Sequence, residues 1–433
     1  MNKIFLNFLF LLILFNQLPL AANQQSEEKP SLSLYIEKAL TNNPRLEAMA
    51  QKVLAAEKAV PQAGALPDPK ITLGLMNLPA NSFAFDQEPM TGKQIGVSQM
   101  FPFPGKLSLK KDLSELEVKA VMFQQKELIN QIIFMIKEVY YDIYTSDRAI
   151  ETIEKNMELM KQIIQVVETK YATGTGLQQD LFRAQVELIK LEDDLLMWQQ
   201  KRQVFTVRMN EILNQPENTP IGKIPELLEA SGKEESFLVR EQIENRRPLL
   251  LAWKEKVRMA EVETRLAQRD FWPDITVNAA YSQRDDLRGG TEMTDFLSVS
   301  LSLDIPLYFK NKQNQKIAAK QLEYKALKAD YQSVLNSVLS EAESLKAELK
   351  RNRQRVDLYK EGIIPQAEKS LQSAQAGYQV GKVDFLNVVD NWMRLFNYEL
   401  QYHSALADYL KTQAKYDLAV GKETFKRNRL QGQ

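Results

Sequence analysis

Apolar positions along this chain follow two different periods, and the order in which the periods alternate occurs twice. From Ser33, a candidate N-cap, to about Gln62 the apolar residues step in threes and fours, the spacing of one helix face. Pro67 and Pro69 end it. A period of two takes over at Ile71–Leu78, pauses over a turn-rich loop at Pro79–Gly92, and resumes at Lys93–Phe101. That period predicts strands with unlike faces. Pro102 and Pro104 stop the second strand, as proline does where a ladder needs an N–H. Helical spacing then runs without a proline from Lys106 to about Thr173, on the order of 100 Å of helix. Ile150, Ile153, Met157, Met160, Ile164, Val167 and Tyr171 form a heptad seam in it, which predicts left-handed supercoiling against neighbours. Gly174 and Gly176 turn the chain, and a helix returns over Leu177–Leu213.

After a connector with Pro216, Pro220 and Pro225, the series begins again. A helix is predicted over Phe237–Asp270, and strands over Ile275–Gln283 and Asp295–Ile305 flank a polar loop with Gly289-Gly290. A long helix follows over Asn311–Gly377, with Leu335, Val338, Ala342, Leu345 and Leu349 on a heptad seam. Gly381 turns the chain into a helix over Asp384–Val420. Matching landmarks lie about 205 residues apart. Asn43-Pro44 is echoed by Arg247-Pro248, Pro67-Asp68 by Pro273-Asp274, Phe101-Pro102-Phe103 by Ile305-Pro306-Leu307, and Tyr171-Ala172-Thr173-Gly174 by Tyr378-Gln379-Val380-Gly381. The division is a targeting segment at 1–22, a first repeat at 23–213, a connector at 214–236, a second repeat at 237–421 and a polar tail at 422–433. In each half the two short helices together match the long one in length, so stacked end to end they can lie beside it. Each half is then a rod with strands at one end and a turn at the other.

The strands carry the argument for a membrane. Leu297, Val299, Leu301, Leu303 and Ile305 alternate with Ser298, Ser300, Ser302 and Asp304, about the ten residues a tilted membrane strand needs. Ile71, Leu73 and Leu75 alternate with Thr72 and Gly74, and Ile95 and Val97 with Gly96 and Ser98. Single segments of this kind favour a half-buried soluble sheet. Four of them beside very long helices favour a barrel with lipid outside and water inside. Phe101, Phe103, Phe271, Trp272, Tyr308 and Phe309 sit where strand meets helix. That is the membrane–water boundary favoured by aromatic rings, or else local packing of the junction. Four strands cannot close, and an open edge in lipid is costly. Three copies give about twelve strands, enough for a wide barrel. The expected fold is mainly α with membrane β: a duplicated helix–strand pair–long helix–helix repeat. Three copies closed in this way would carry about twelve helical rods on a wide, water-filled barrel.

Composition narrows the chemistry. Asn2-Lys3, the apolar run Ile4–Phe15 and Leu20-Ala21-Ala22 read as a secretory signal that is removed, the run being short for a span. The chain has no cysteine, so disulfides, thiol metal ligands and a lipid-modified cysteine are not expected. Lys and Arg number 56 against 56 Asp and Glu, which gives no basic surface for nucleic acid. His403 is the single histidine, too few soft ligands for a chelate site on one protomer. No phosphate loop, nucleophile elbow or zinc motif is present, so neither an enzyme nor a cofactor is expected.

Two halves, each with a strand pair and Tyr-x-x-Gly at a long-helix turn, resemble the TolC-type outer-membrane efflux family from about Leu34 to Gly421. Segments 66–79 and 92–106 look like its heavy-metal branch, the CzcC/CusC-like kind. The resemblance implies a homotrimer in outer-membrane lipid of a Gram-negative-type bacterium, a twelve-stranded outer-membrane β-barrel continuous with a periplasmic α-helical barrel, docked to a periplasmic adaptor and an inner-membrane resistance-nodulation-division (RND) pump. The turns at Gly174, Gly176 and Gly381 would be the periplasmic tips that meet the adaptor. Residues beside them would hold the tunnel shut: Gln179 and Asp180 after the first turn, and Tyr378, Lys382, Asp384, Asn387 and Asp390 about the second. Asn387 stands where the best-known pattern is acidic, and Val383 where it is basic, with Lys382 adjacent. Threefold symmetry would make Asp390 a ring of carboxylates, a cation-selecting device. Asp180, Asp384 and Asp390 also suit helix N-termini on dipole grounds alone. Within the family, metal cations, drugs and secreted molecules are alternative cargoes. Outside it, the alternative is a periplasmic coiled-coil protein without a pore.

Overall fold

The computed structural model describes residues 31–227 and 237–422. The apolar segment within 1–22, the last part of the connector and the tail beyond Lys422 lie outside the described residues.

The helix expected over 33–62 is two helices, α1 (Leu32–Asn42) and α2 (Pro44–Gly64). Ser31, not Ser33, is the N-cap: its Oγ accepts from Leu34 N–H at 3.3 Å. The break falls at Asn43, whose backbone is extended, because a proline ring disfavours helical backbone in the residue before it. The helix expected over 237–270 breaks for the same reason at Arg247, between α5 (Arg240–Arg246) and α6 (Pro248–Arg269).

Strands β1 (Lys70–Met76), β2 (Gly92–Phe101), β3 (Ile275–Gln283) and β4 (Phe296–Leu303) form one antiparallel sheet in the order β1-β2-β3-β4. The two halves therefore join through β2 and β3. Register aligns their faces. Leu73, Ile95, Tyr281 and Leu297 lie in one row, and Ile71, Val97, Ala279 and Val299 in the next. Ser98, Asn278 and Ser300 make a polar row on the opposite face, where Asn278 Nδ2 donates to Ser300 Oγ at 3.4 Å and Ser302 Oγ at 3.3 Å. None of the described residues covers the apolar face: Leu73 and Leu297 are each 76% exposed. The outer edges of β1 and β4 pair with no other strand among the described residues.

The first long helix, α3 (Lys106–Ala172), is continuous over 67 residues. Near its start α2 packs beside it, with Gly64 against Lys111. Farther along, α4 (Gln178–Leu213) packs on it through Arg202–Asp147 at 2.6 Å and Arg208–Glu138 at 3.0 Å. Each chain break receives the end of the returning helix. Asn43 Nδ2 donates to Ile212 O at 2.9 Å, and Arg247 Nη1 donates to Ala419 O at 3.0 Å, at the end of α9 (Phe385–Ala419). The echo of Asn43-Pro44 in Arg247-Pro248 is thus structural.

The second long helix is not continuous. It comprises α7 (Gln313–Asp357), a π segment (Leu358–Ile363) and α8 (Ile364–Gln379). Above the π segment the seam is Leu335, Val338, Ala342, Leu345, Leu349, Asn352 and Val356, all buried. Continued by alternating threes and fours it would reach 370, 373 and 377. The residues packed inward below are instead Leu371, Ala374 and Tyr378. The seam slips by one position, and a helical turn with i→i+5 bonds absorbs such a slip. Asn352 sits in the seam and donates to Thr412 Oγ1 of α9 at 2.9 Å, a buried polar pair of the kind that fixes helix register.

Two apolar cores follow from this layout. The larger gathers α1, the middle of α3, the end of α4, α5, the start of α6, α7 and the second half of α9 around Ile132, Ile136, Ile143, Tyr144, Leu250 and Leu406. Connector residues close over it: the buried Asp147 accepts from Arg202 Nε at 2.6 Å and from Ile224 N–H at 2.9 Å. The smaller core lies toward the turns and holds Ile153, Met160, Val167, Ala184, Leu191, Phe385, Val389, Trp392 and Phe396.

Candidate functional site

Both ends of the molecule carry candidate residues. At the sheet end, the aromatics of the strand–helix junction pair with each other and also remain exposed. Phe103 stacks on Trp272 at 5.1 Å, and Phe271 meets Phe309 at 6.1 Å. Trp272 and Tyr308 stay open to the surroundings, as does part of Phe101. The sequence did not single out Lys106, which holds this junction together. Its Nζ reaches Asp274 at 2.8 Å, Trp272 O at 3.0 Å and Asp270 at 3.8 Å, and Asp274 also accepts from Phe103 N–H at 2.7 Å. One ammonium thus ties the start of α3 to the start of β3, where the two repeats meet.

At the other end, Gly174 and Gly381 both have φ +73°, the left-handed backbone that glycine adopts at least cost. After each turn a helix starts with an acid. Asp180 is in the first turn of α4, and Asp384 is the N-cap residue of α9 without a side-chain capping bond. The structure brings Asp180, Asp384 and Tyr378 into one electrostatic neighbourhood. Burial raises the Asp180 carboxyl above its ordinary value; the Arg183 guanidinium opposes the shift and the Asp384 carboxylate adds to it. Burial also raises the Tyr378 phenol, with Asp180 adding to the effect. Gln179 and Lys382 are exposed. Asn387 and Asp390 are exposed too, on the side of α9 away from Phe385, Val389 and Trp392. None of Asp180, Lys382 and Asp390 joins an ion pair among the described residues. The residue that sequence reasoning missed here is Lys170, whose Nζ lies 3.8 Å from the centroid of the Tyr378 ring.

His403 is a packing residue. It is largely buried between α9 and α3, and its Nδ1 lies 3.2 Å from Tyr144 Oη. Burial, with the Arg148 charge beside it, pushes the ring down to about 4, so it is neutral across the physiological range. Among the described residues, no three His, Cys, Asp or Glu side chains converge at metal-ligand spacing, and no helix is long and apolar enough to cross a membrane.

The described residues thus form elongated helical rods with a sheet at one end, apolar on one face and unpaired at both edges. The chain matches the outer membrane efflux protein family over residues 35–215 and 239–422. It belongs to that family, and its class is the outer-membrane efflux channel. It is 20% identical over 394 residues to the outer membrane protein TolC of Vibrio cholerae, covering 88% of this chain and 89% of the relative. It is also 20% identical over 401 residues to the cobalt-zinc-cadmium resistance protein CzcC of Cupriavidus metallidurans, covering 89% and 88%. The solved structure of the outer-membrane channel OprN superposes with a TM-score of 0.77 at 16% identity, over 91% of this chain and 90% of that one.

Proposed function

We propose that this protein is the exit duct of a tripartite efflux system: a homotrimer that takes heavy-metal cations from an adaptor and an RND pump and conducts them passively to the exterior. The observation that carries the reading is the sheet. Its apolar face is uncovered and its two edges are unpaired, a state that lipid penalises unless the sheet closes. Alternating antiparallel order puts β1 and β4 in opposite directions. The β4 edge of one copy therefore meets the β1 edge of the next as an antiparallel pair, and three copies close at about twelve strands. A mass measurement of the detergent-extracted protein tests this: the expected mass is three chains, and a water-soluble monomer would defeat the proposal.

The metal assignment rests on the likeness of segments 66–79 and 92–106 to the heavy-metal branch and on the relative named for cobalt, zinc and cadmium resistance. It also suits a conduit, where binding must be weak enough for release. Deleting the gene is expected to sensitise cells to transition-metal ions more than to bulky organic drugs. Drug hypersensitivity with normal metal tolerance would favour a multidrug duct instead.

In this reading the sheet end sits in the outer membrane and the turn end is the periplasmic constriction. Gln179, Asp180, Tyr378, Lys382, Asp384, Asn387 and Asp390 line or guard that constriction. Asp390 supplies the carboxylate ring, and the turns at Gly174, Gly176 and Gly381 meet the adaptor.

A further inference from the structure

We propose that a cation–π latch between Lys170 and Tyr378 ties the two hairpins of each chain together at the turn end, so that Lys170 is the cationic half of the closing contact. The proposal rests on the reading of this end as the constriction. Lys170 is in the last turn of α3, and Tyr378 is in the last turn of α8. The ammonium lies 3.8 Å from the ring centroid and 3.4 Å from Tyr378 O. A cation over an aromatic face at this distance is attracted by the ring quadrupole, more strongly where water is partly excluded. Lys170 is half-buried.

Both partners are held in place beforehand. The first turn folds back over the lysine: Thr175 N–H and Gly176 N–H donate to Lys170 O at 2.9 and 3.0 Å. A Cβ at position 176 would meet Lys170 Cβ at 3.0 Å, so glycine there lets the turn close over the lysine stem. The Tyr378 ring also meets Phe385 at 5.6 Å, which ties it to the smaller core. No ion pair joins the two hairpins at this end among the described residues. Val383, at the motif's basic position, is apolar, and Lys382 is exposed and forms no ion pair. The lysine therefore provides a cationic link that those two positions do not.

The chain has no cysteine, so Thr173→Cys and Val380→Cys give one spin label on each turn without background. Distances are read by electron spin resonance in the assembled protein diluted with unlabelled chain, alongside single-channel conductance in planar bilayers. Lys170→Met and Tyr378→Leu are expected to broaden the inter-turn distance distribution and raise open probability about 5-fold. Lys170→Arg keeps a cation and Tyr378→Phe keeps a ring, so both should keep the inter-turn distance distribution of the wild type. An unchanged distance distribution in Lys170→Met overturns the latch. That holds even where Asp390→Ala or Asp180→Ala alters conductance and so upholds the constriction. A broadened distribution in Lys170→Met, with unchanged conductance in Lys170→Met, Tyr378→Leu, Asp390→Ala and Asp180→Ala, upholds the tie between the hairpins and overturns the constriction.

Discussion

Arg247→Met is expected to lower the stability of the folded chain by about 3–5 kcal/mol, the usual cost of removing one partner of a buried ion pair. The Arg247 and Glu127 side chains are each less than a tenth exposed and lie 3.5 Å apart. Glu127 also accepts from Leu249 N–H at 3.2 Å, and Arg247 holds the last carbonyl of α9. Without the arginine, the Glu127 carboxylate stays buried with a backbone N–H as its remaining partner, and the end of α9 loses its anchor. Adding Glu127→Leu should restore much of the loss, because two apolar groups leave no charge stranded. Thermal melts followed by circular dichroism in detergent measure it. If Arg247→Met melts like the wild type, the pair does not hold the two repeats together.

A comparable loss is expected on the sheet. Val299 lies mid-strand on the apolar face, in the row with Ile71, Val97 and Ala279. Val299→Arg should cost about 2–4 kcal/mol per copy, as a cation does at the lipid-facing midplane of a barrel. The closed assembly bears that cost once per subunit. Ser300→Arg, one residue on, points to the polar face and should be tolerated. The amount of assembled protein in the outer-membrane fraction separates the two. Equal tolerance of both substitutions would mean that lipid does not contact the apolar face.

Much of this architecture was legible because its signals are local and periodic. Period two located all four strands within a few residues. Heptad spacing located the seam of α3, and the two Tyr-x-x-Gly motifs located the turns. The breaks at Asn43 and Arg247 carried a visible signal, the following proline, but helical spacing on both sides masked it. The remaining features depend on distant partners. Lys170 is an ordinary last-turn lysine until a ring from the other half arrives 208 residues later. Lys106 and Asp274 meet across 168 residues, and Asp147 reaches the connector across 77. No short-range period encodes such pairs. Of the residues proposed for the constriction, Asp180, Tyr378 and Asp384 gather in one neighbourhood, while Asp390 lies farther along α9 on its exposed side.

The π segment at Leu358–Ile363 has a consequence at the level of the gene. The lower seam, Leu371, Ala374 and Tyr378, corresponds to Ile164, Val167 and Tyr171 at one constant offset. The upper seam of α7, read at that same offset, falls one position away from the phase of α3. One in-frame codon, gained by one copy of a duplicated sequence and not by the other, produces this mismatch. A helix packed on both sides of such an insertion keeps its contacts by bulging. Deleting a single codon from the six that encode 358–363 is then the smallest edit that would bring the upper and lower seams of the second long helix into one phase with α3.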